Sequence, residues 1–237
     1  MERMTLKYKD SRLRSFLRQH TIRDGRKPEK IFIVGNGNFD STMQCGCHQL
    51  AAFMDVAQAH GSKVIFQEPN VTNPETRWLE ERNVEVRKST DLDLQLDPSE
   101  LLLVVNIHGV HALLDKFLKP NWNRKRLKNL IIVANNYTDA TLIRRDHDGK
   151  EVRQPLTNAW YEHANVELIP RKLYEHSESA YFDTCITNPE KNVCGTDRKL
   201  LNDTVLRYKY RIASIILPHF DTNHQLLNVE LDYLGCT

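Results

Sequence analysis

Four short runs of this chain hold the residues best suited to chemistry. The first, Ile31-Phe32-Ile33-Val34-Gly35-Asn36-Gly37-Asn38-Phe39-Asp40-Ser41, reads as an apolar strand entering a glycine turn and then a helix. Glycines such as Gly35 and Gly37, with Asn38 beside them, let backbone amides approach a phosphate at a helix start, which is how dinucleotide sites are built. The third glycine position holds Asp40, whose charge would face a pyrophosphate. A lone G-x-G is a weak signal, so the favoured reading is that Asp40 or Ser41 caps the following helix. The second run centres on Glu68, directly after the next apolar stretch, where such folds place an acid on ribose hydroxyls. Its distance from the glycines exceeds the typical spacing of about 20 residues. Pro69 fits equally well a turn organised by Glu68, and both readings stay open.

Asn106-Ile107-His108-Gly109 closes a further strand, at the edge where open α/β sheets bind ligands. His108 is the candidate catalytic group, suited to act as acid, base or hydrogen-bond donor; a histidine capping the next helix or bonded to a loop is the equal alternative. Asn135-Asn136-Tyr137 ends the following strand in the same manner. Two adjacent strands thus deliver polar groups to one rim, as a pocket requires. The candidate binding set is Gly35, Gly37, Asn38, Glu68, Asn135 and Asn136.

Cys45-Gly46-Cys47-His48 invites a metal reading, but helical geometry opposes it. On a helix from Met43 to His60, Cys47 shares the apolar face with Leu50, Ala51 and Met54, while Cys45 lies about 200° away at ~100° per residue. Cys47 is read as a core residue and no metal is assigned. No nucleophile elbow, P-loop, H-E-x-x-H or kinase signature occurs. His147, His163, His176, His219 and His224 are scattered through polar segments and read as surface residues.

The elements that must position these groups follow from hydrophobic periodicity. Strands are expected at Ile31–Val34, Lys63–Phe66, Val84–Arg87, Leu101–Asn106 and Leu130–Ala134, with helices at Met43–His60, Pro74–Arg82 and His111–Leu118, the last closed by Pro120. This alternation predicts an α/β, Rossmann-like fold: a mostly parallel, doubly wound sheet with flanking helices. Arg144–His163, polar and containing Asp148-Gly149 and Pro155, is expected to be a loop or hairpin insertion. Val166–Ile169 and Ser179–Ile186 read as strands, Thr187–Thr196 as a loop, Asn202–Tyr210 as a segment of undetermined type and Ile212–Pro218 as an apolar stretch packed on the body. Residues 1–29 are expected to form a basic helix and linker, and 30–237 a single domain.

Composition narrows the class. With 237 residues, 40% hydrophobic and 27% charged, and nine each of Gly and Pro, the chain suits a soluble globular core and excludes collagenous or broadly disordered types. Its longest apolar runs fall far short of the roughly 20 residues needed to cross a bilayer. The N-terminus lacks the apolar stretch of a secretory signal. Five cysteines without a C-x-x-C pair point away from a disulfide framework and toward a reducing compartment, cytosolic or nuclear. The net charge of +2 hides an asymmetry: residues 1–30 carry ten Lys or Arg against four acids, or +6, leaving −4 for the remainder. That basic arm fits contact with a protein partner; no DNA- or RNA-reading motif accompanies it, so specific nucleic-acid binding is not expected.

Taken in order, these runs resemble the Sensitivity to Red Light Reduced family, the SRR-like domain proteins. The resemblance comprises the hydrophobic-G-x-G-x-F-x-S block at Val34–Ser41, the helical Gln49-Leu50, an acid-Pro turn with Thr at Glu68-Pro69 and Thr72, and the strand-end His108. It continues through Asn121-Trp122, Asn135-Asn136-Tyr137 and Asn202-Asp203-Thr204, spanning about 30 to 210. Ile107, Glu68 and Asn136 depart from the family's usual proline, aspartate and serine. The resemblance implies a regulatory protein, non-enzymatic, linked to biological rhythms, light signalling in plants, and heme biosynthesis, acting through protein partners or a small ligand. It implies no defined cofactor, although the fold is compatible with a nucleotide. The alternative is a Rossmann-like enzyme holding a nucleotide or S-adenosyl cofactor at Gly35–Asn38, with Glu68 on its ribose and His108 as acid or base.

Overall fold

A computed structural model describes residues 12–40, 44–109, 111–136, 144–145, 151–152, 154–174, 178–181 and 183–189. Ser41, Tyr137, the Asp148-Gly149 turn and all expectations beyond residue 189 lie outside the described residues. Among the described residues no helix is long and apolar enough to cross a membrane.

Five parallel strands form the heart of the sheet: β1 (Lys30–Val34), β2 (Lys63–Gln67), β3 (Glu85–Arg87), β4 (Leu102–Asn106) and β5 (Leu130–Asn135). Their central members are apolar throughout because helices cover both faces. Two further strands, β6 (Arg144–Arg145) and β7 (Glu151–Val152), pair as a separate antiparallel hairpin, and β8 (Ala164–Leu168) and β9 (Thr184–Pro189) complete the main sheet. The order is β3-β2-β1-β4-β5-β9-β8, with β9 antiparallel to both neighbours. This is a mostly parallel, Rossmann-like, doubly wound sheet, and its direction of travel reverses between β1 and β4.

Helices α1 (Arg12–His20), α2 (Cys45–His60) and α3 (Asn73–Glu80) contribute to one core, in which Leu13, Leu17, Leu50, Phe53 and Leu79 meet Ile31, Ile33, Phe66 and Val105. On β1 the intervening Phe32 lies 5.8 Å from Phe117 of α4 (His111–Asn121), ring centre to ring centre. The short α5 (Arg124–Leu127) follows, with the Asn123 side chain accepting from Arg126 N–H at 3.0 Å. Cys47 is buried in the first core, as its helical position predicts, and Cys45 packs partly against it.

Arginines of the basic segment are engaged with the body. Arg14 pairs with the buried Asp55, and Arg18 lies 3.7 Å from the same carboxylate. Arg26 donates to Asn129 Oδ1 at 3.2 Å and to Ser99 O at 2.7 Å, beyond the amino ends of β5 and β4.

Three expectations need correction. Pro120 does not close α4, which runs one residue further to Asn121. A proline in the last turn forfeits only one N–H bond, and Asn121 Nδ2 restores a tie by donating to Phe117 O at 2.9 Å. The segment read as a loop or hairpin carries the β6–β7 hairpin but also α6 (Pro155–His163), which buries Leu156, Ala159, Trp160 and Tyr161. Its proline sits at the first helical position, where no N–H is needed, and Asp115 of α4 accepts Leu156 N–H and Thr157 N–H at 2.9 and 3.0 Å. Finally, Ser179–Ile186 is not one strand. A 3-10 turn at Glu178–Tyr181 precedes Asp183, whose φ of 52° breaks the extension, and β9 then runs through Thr187–Pro189, which was expected to be loop.

Candidate functional site at the carboxyl edge of the sheet

Register brings the candidate residues level. Val34 pairs with Gln67, and Gly35 N–H continues the ladder to Gln67 O at 3.2 Å, so the glycine turn and Glu68 emerge side by side. Asn106 pairs with Ala134, so the segments after β4 and β5 emerge together as well.

The glycine turn is built by its neighbours. Gly35 and Gly37 take φ values of 65° and 69°, the left-handed region open to glycine at little cost. Gly37 N–H donates to Glu68 Oε2 at 3.0 Å, and Asn70 N–H donates to Glu68 Oε1 at 3.2 Å. Glu68 therefore organises its own turn and grips the glycine turn with the same carboxylate. Phe39 N–H donates to Glu75 Oε1 at 2.6 Å. Glu75 is the third residue of α3 and completes a capping box with Thr72. Burial pushes the Glu75 carboxyl up, but the bonds from Phe39, Thr72 and Asp40 outweigh it and hold the group below its ordinary range.

The expected cap of α2 is not found. Its N-cap residue is Gln44, without a side-chain bond to the helix, while Asp40 lies four residues upstream with its backbone engaged by Glu75. The helix approaches the glycine turn closely at Gly46: a Cβ there would lie 2.5 Å from Asn36 O and 2.7 Å from Asn38 O. Asn36 Nδ2 crosses this contact, donating to Gly37 O and Gly46 O at 3.1 Å each. The packing role of the missing third glycine of G-x-G-x-x-G thus falls to Gly46.

At the reversal point the strongest feature is Asn106, fully buried with neither Oδ1 nor Nδ2 hydrogen-bonded among the described residues. Its side chain lies between two glycines on diverging loops. A Cβ on Gly109 would overlap Asn106 Oδ1, and one on Gly35 would lie 3.6 Å from it. Asn36 Oδ1 and Gln67 Oε1, after β1 and at the end of β2, are also buried with no partner among the described residues. Buried polar groups are nearly always satisfied by protein, water or ligand.

His108 is exposed, with a left-handed backbone at φ 57°, and its N–H donates to Asn135 Oδ1 at 2.9 Å. Asn135 O accepts from Tyr161 OH at 2.9 Å, and Asn136 N–H donates to Asp183 O at 2.6 Å, which fastens the β5 end to α6 and β9. Burial pushes the nearby Cys185 thiol up to about 11. The structure therefore joins Gly37 to Glu68 and His108 to Asn135, with Gly35 and Asn106 between the pairs. Asn38 is exposed on the turn. A separate cleft of about 310 Å³, lined by Lys27, Lys30, His60, Lys63 and Glu100, lies at the amino ends of the strands, away from these residues.

Sequence reasoning named Asn106, Gly109 and Gly46 within its runs without giving them a role, and passed over Glu75. A signal existed for two of them: Asn106 is the one polar residue ending the run Leu102-Leu103-Val104-Val105, and Thr72-x-x-Glu75 is a capping-box pattern.

Comparison with solved structures finds a Burkholderia thailandensis 1,6-didemethyltoxoflavin-N1-methyltransferase with bound 1,6-didemethyltoxoflavin and S-adenosylhomocysteine. It is 14% identical, covering 76% of this chain and 78% of that one, with a TM-score of 0.40. A Listeria monocytogenes protein assigned to the S-adenosylmethionine-dependent methyltransferases is 11% identical, covering 76% and 99%, with a TM-score of 0.38. Neither likeness bears on ligand or activity. Comparison with the curated proteins finds no sequence match. The profile of the SRR1 domain matches residues 13–208, which contain every element described above except the first residue of α1. With the glycine turn, the acid-Pro turn and the strand-end His108 and Asn135 arranged along one edge, the chain belongs to the SRR1 domain family.

Proposed function

We propose that this SRR1-domain protein is a regulatory, non-enzymatic protein whose α/β domain binds a small polar ligand in the crevice between the β1 and β4 loops and signals its occupancy to protein partners. The observation that carries the reading is the buried, unbonded amide of Asn106, held between Gly35 and Gly109 where the strand order reverses. Open α/β sheets bind ligands at that point. A buried amide left without partners costs about 1–3 kcal/mol, a cost that a ligand with one donor and one acceptor would remove. Glu68, reaching the glycine turn from β2, stands where a ribose would be held. Rhythm control and heme biosynthesis are the processes to which the family resemblance assigns such a regulator, and its cysteine usage fits a reducing compartment, cytosol or nucleus.

Thermal denaturation of the full chain with a panel of nucleosides, ATP, NAD(P), S-adenosylmethionine and hemin tests the ligand step. A ligand of the native state at about 100 times its dissociation constant adds about 2.7 kcal/mol, and Asn106→Leu is expected to abolish that gain. Binding that Asn106→Leu leaves intact, or flat curves throughout, would sink the proposal.

A second reading makes the same rim catalytic, with His108 as acid or base. It is favoured by the left-handed backbone of His108, a non-glycine conformation that concentrates at active sites. Turnover by wild type and not by His108→Ala would select it.

A further inference from the structure

Resting on the reading of the rim as a ligand site, we infer that its occupant is a ribonucleoside without phosphate, neutral or cationic at its 5′ position. The reason is what already engages the amides of the glycine turn. In dinucleotide sites these N–H groups are the donors that receive the pyrophosphate. Here Gly37 N–H is given to Glu68 at 3.0 Å and Phe39 N–H to Glu75 at 2.6 Å. Thr72 holds Glu75 from the other side, through its N–H at 2.9 Å and its hydroxyl at 2.8 Å.

Both carboxylates are buried, and among the described residues neither forms an ion pair with a lysine or arginine. The exposed side chain of Asp40 adds a third acid to the same turn. A phosphate arriving here would find the Gly37 and Phe39 amides committed and like charges beneath it, where water screens poorly. Ribose hydroxyls, being donors, would find acceptors. A carboxylate offers about four acceptor positions, and the amides of Gly37 and Asn70 take only part of Glu68's capacity. A cationic 5′ substituent, an ammonium or a sulfonium, would be attracted by the same charges that repel a phosphate. Asn106, neutral and both donor and acceptor, suits an uncharged polar group at the far end of the ligand.

Isothermal titration of the full chain with adenosine, 5′-amino-5′-deoxyadenosine and ATP, repeated with the guanosine, cytidine and uridine counterparts, isolates the 5′ charge because base and ribose are held constant. One nucleoside series is expected to bind, its amine at least as tightly as its neutral form, and both at least about tenfold tighter than the triphosphate. Glu68→Gln, nearly the same in shape, is expected to weaken the nucleoside about tenfold and to narrow the gap to the triphosphate. The wild-type comparison decides the charge preference even if that variant does not fold. A triphosphate that binds as tightly or tighter, and is lost in Asn106→Leu, would overturn this inference while leaving the rim as a ligand site. Absence of any binding, or binding indifferent to both variants, would overturn the two together.

Discussion

Two asparagines of this protein are fully buried and end neighbouring elements, yet the same substitution is expected to move stability in opposite directions. Asn106 has neither amide atom hydrogen-bonded among the described residues. Leucine has the same number of side-chain atoms in the same branched arrangement and no polar group to strand. Asn106→Leu therefore removes the burial cost of an unpaired amide, about 1–3 kcal/mol, less whatever the rounder methyl groups lose against Leu113 and the two glycines. For a chain of this size, that gain raises the melting temperature by roughly 2–12 °C. Asn121 is the opposite case. Its Oδ1 accepts Leu96 N–H at 2.8 Å, and its Nδ2 donates to Leu94 O and Phe117 O at 2.9 Å each, clasping the chain before β4 to the end of α4. Asn121→Leu strands those groups and is expected to cost at least about 2 kcal/mol. Urea titrations of wild type and both variants, with the denaturant slope checked for change, give the comparison directly. Destabilisation by Asn106→Leu of the same size as Asn121→Leu would show that the Asn106 amide is structurally engaged and would refute the reasoning that makes it a ligand group.

Glu75→Gln tests how the turn is fastened. The carboxyl is depressed in the fold, so its stabilisation is present in full above the ordinary value of 4.5 and fades as the pH falls through the lower folded value. The stability difference between wild type and variant should accordingly be largest near neutrality and vanish in acid; a difference that grows on acidification would contradict the assignment. Gly46→Ala places a methyl against two backbone carbonyls and is expected to cost about 1–3 kcal/mol, as overpacking does, and to weaken any rim ligand; unchanged stability in chemical denaturation would show that the turn yields freely. Site-resolved alkylation by mass spectrometry should label half-buried Cys45 well before Cys47 and Cys185, which burial shields and whose thiols it pushes up. Early labelling of Cys185 in the native state would contradict its place beneath Tyr161.

Where the sequence carried its own instruction, it was legible. The apolar strands fell within a residue or two of their observed bounds, because a strand covered on both faces must be apolar throughout. The mostly parallel orientation also followed, since strands joined by helical crossovers run parallel, whereas the strand order, with β4 beside β1 rather than β3, came from the tertiary structure. Helix α6 escaped because Pro155, which looks like a loop signal, is also a helix starter, and Asp115, which accepts from its first turn, lies 41 residues from Leu156. Strand β9 was misplaced because Asp183 alone breaks the extension, and an aspartate at positive φ leaves little trace in a sequence.

The candidate site divides along the same line. Sequence alone determined which residue types arrive at the carboxyl edge, for strand length and register carry Gly35, Glu68, His108 and Asn135 there in order. Only the tertiary structure decided what they do on arrival. Glu68 and Glu75 take the turn's amides, Gly46 supplies the close packing, and Asn106, unremarkable as the last letter of an apolar strand, is left buried with its hydrogen bonds unmade. The physical reason is that register is a local periodicity written along the chain, whereas the satisfaction of a buried polar atom depends on every group that folding brings within 3.5 Å of it.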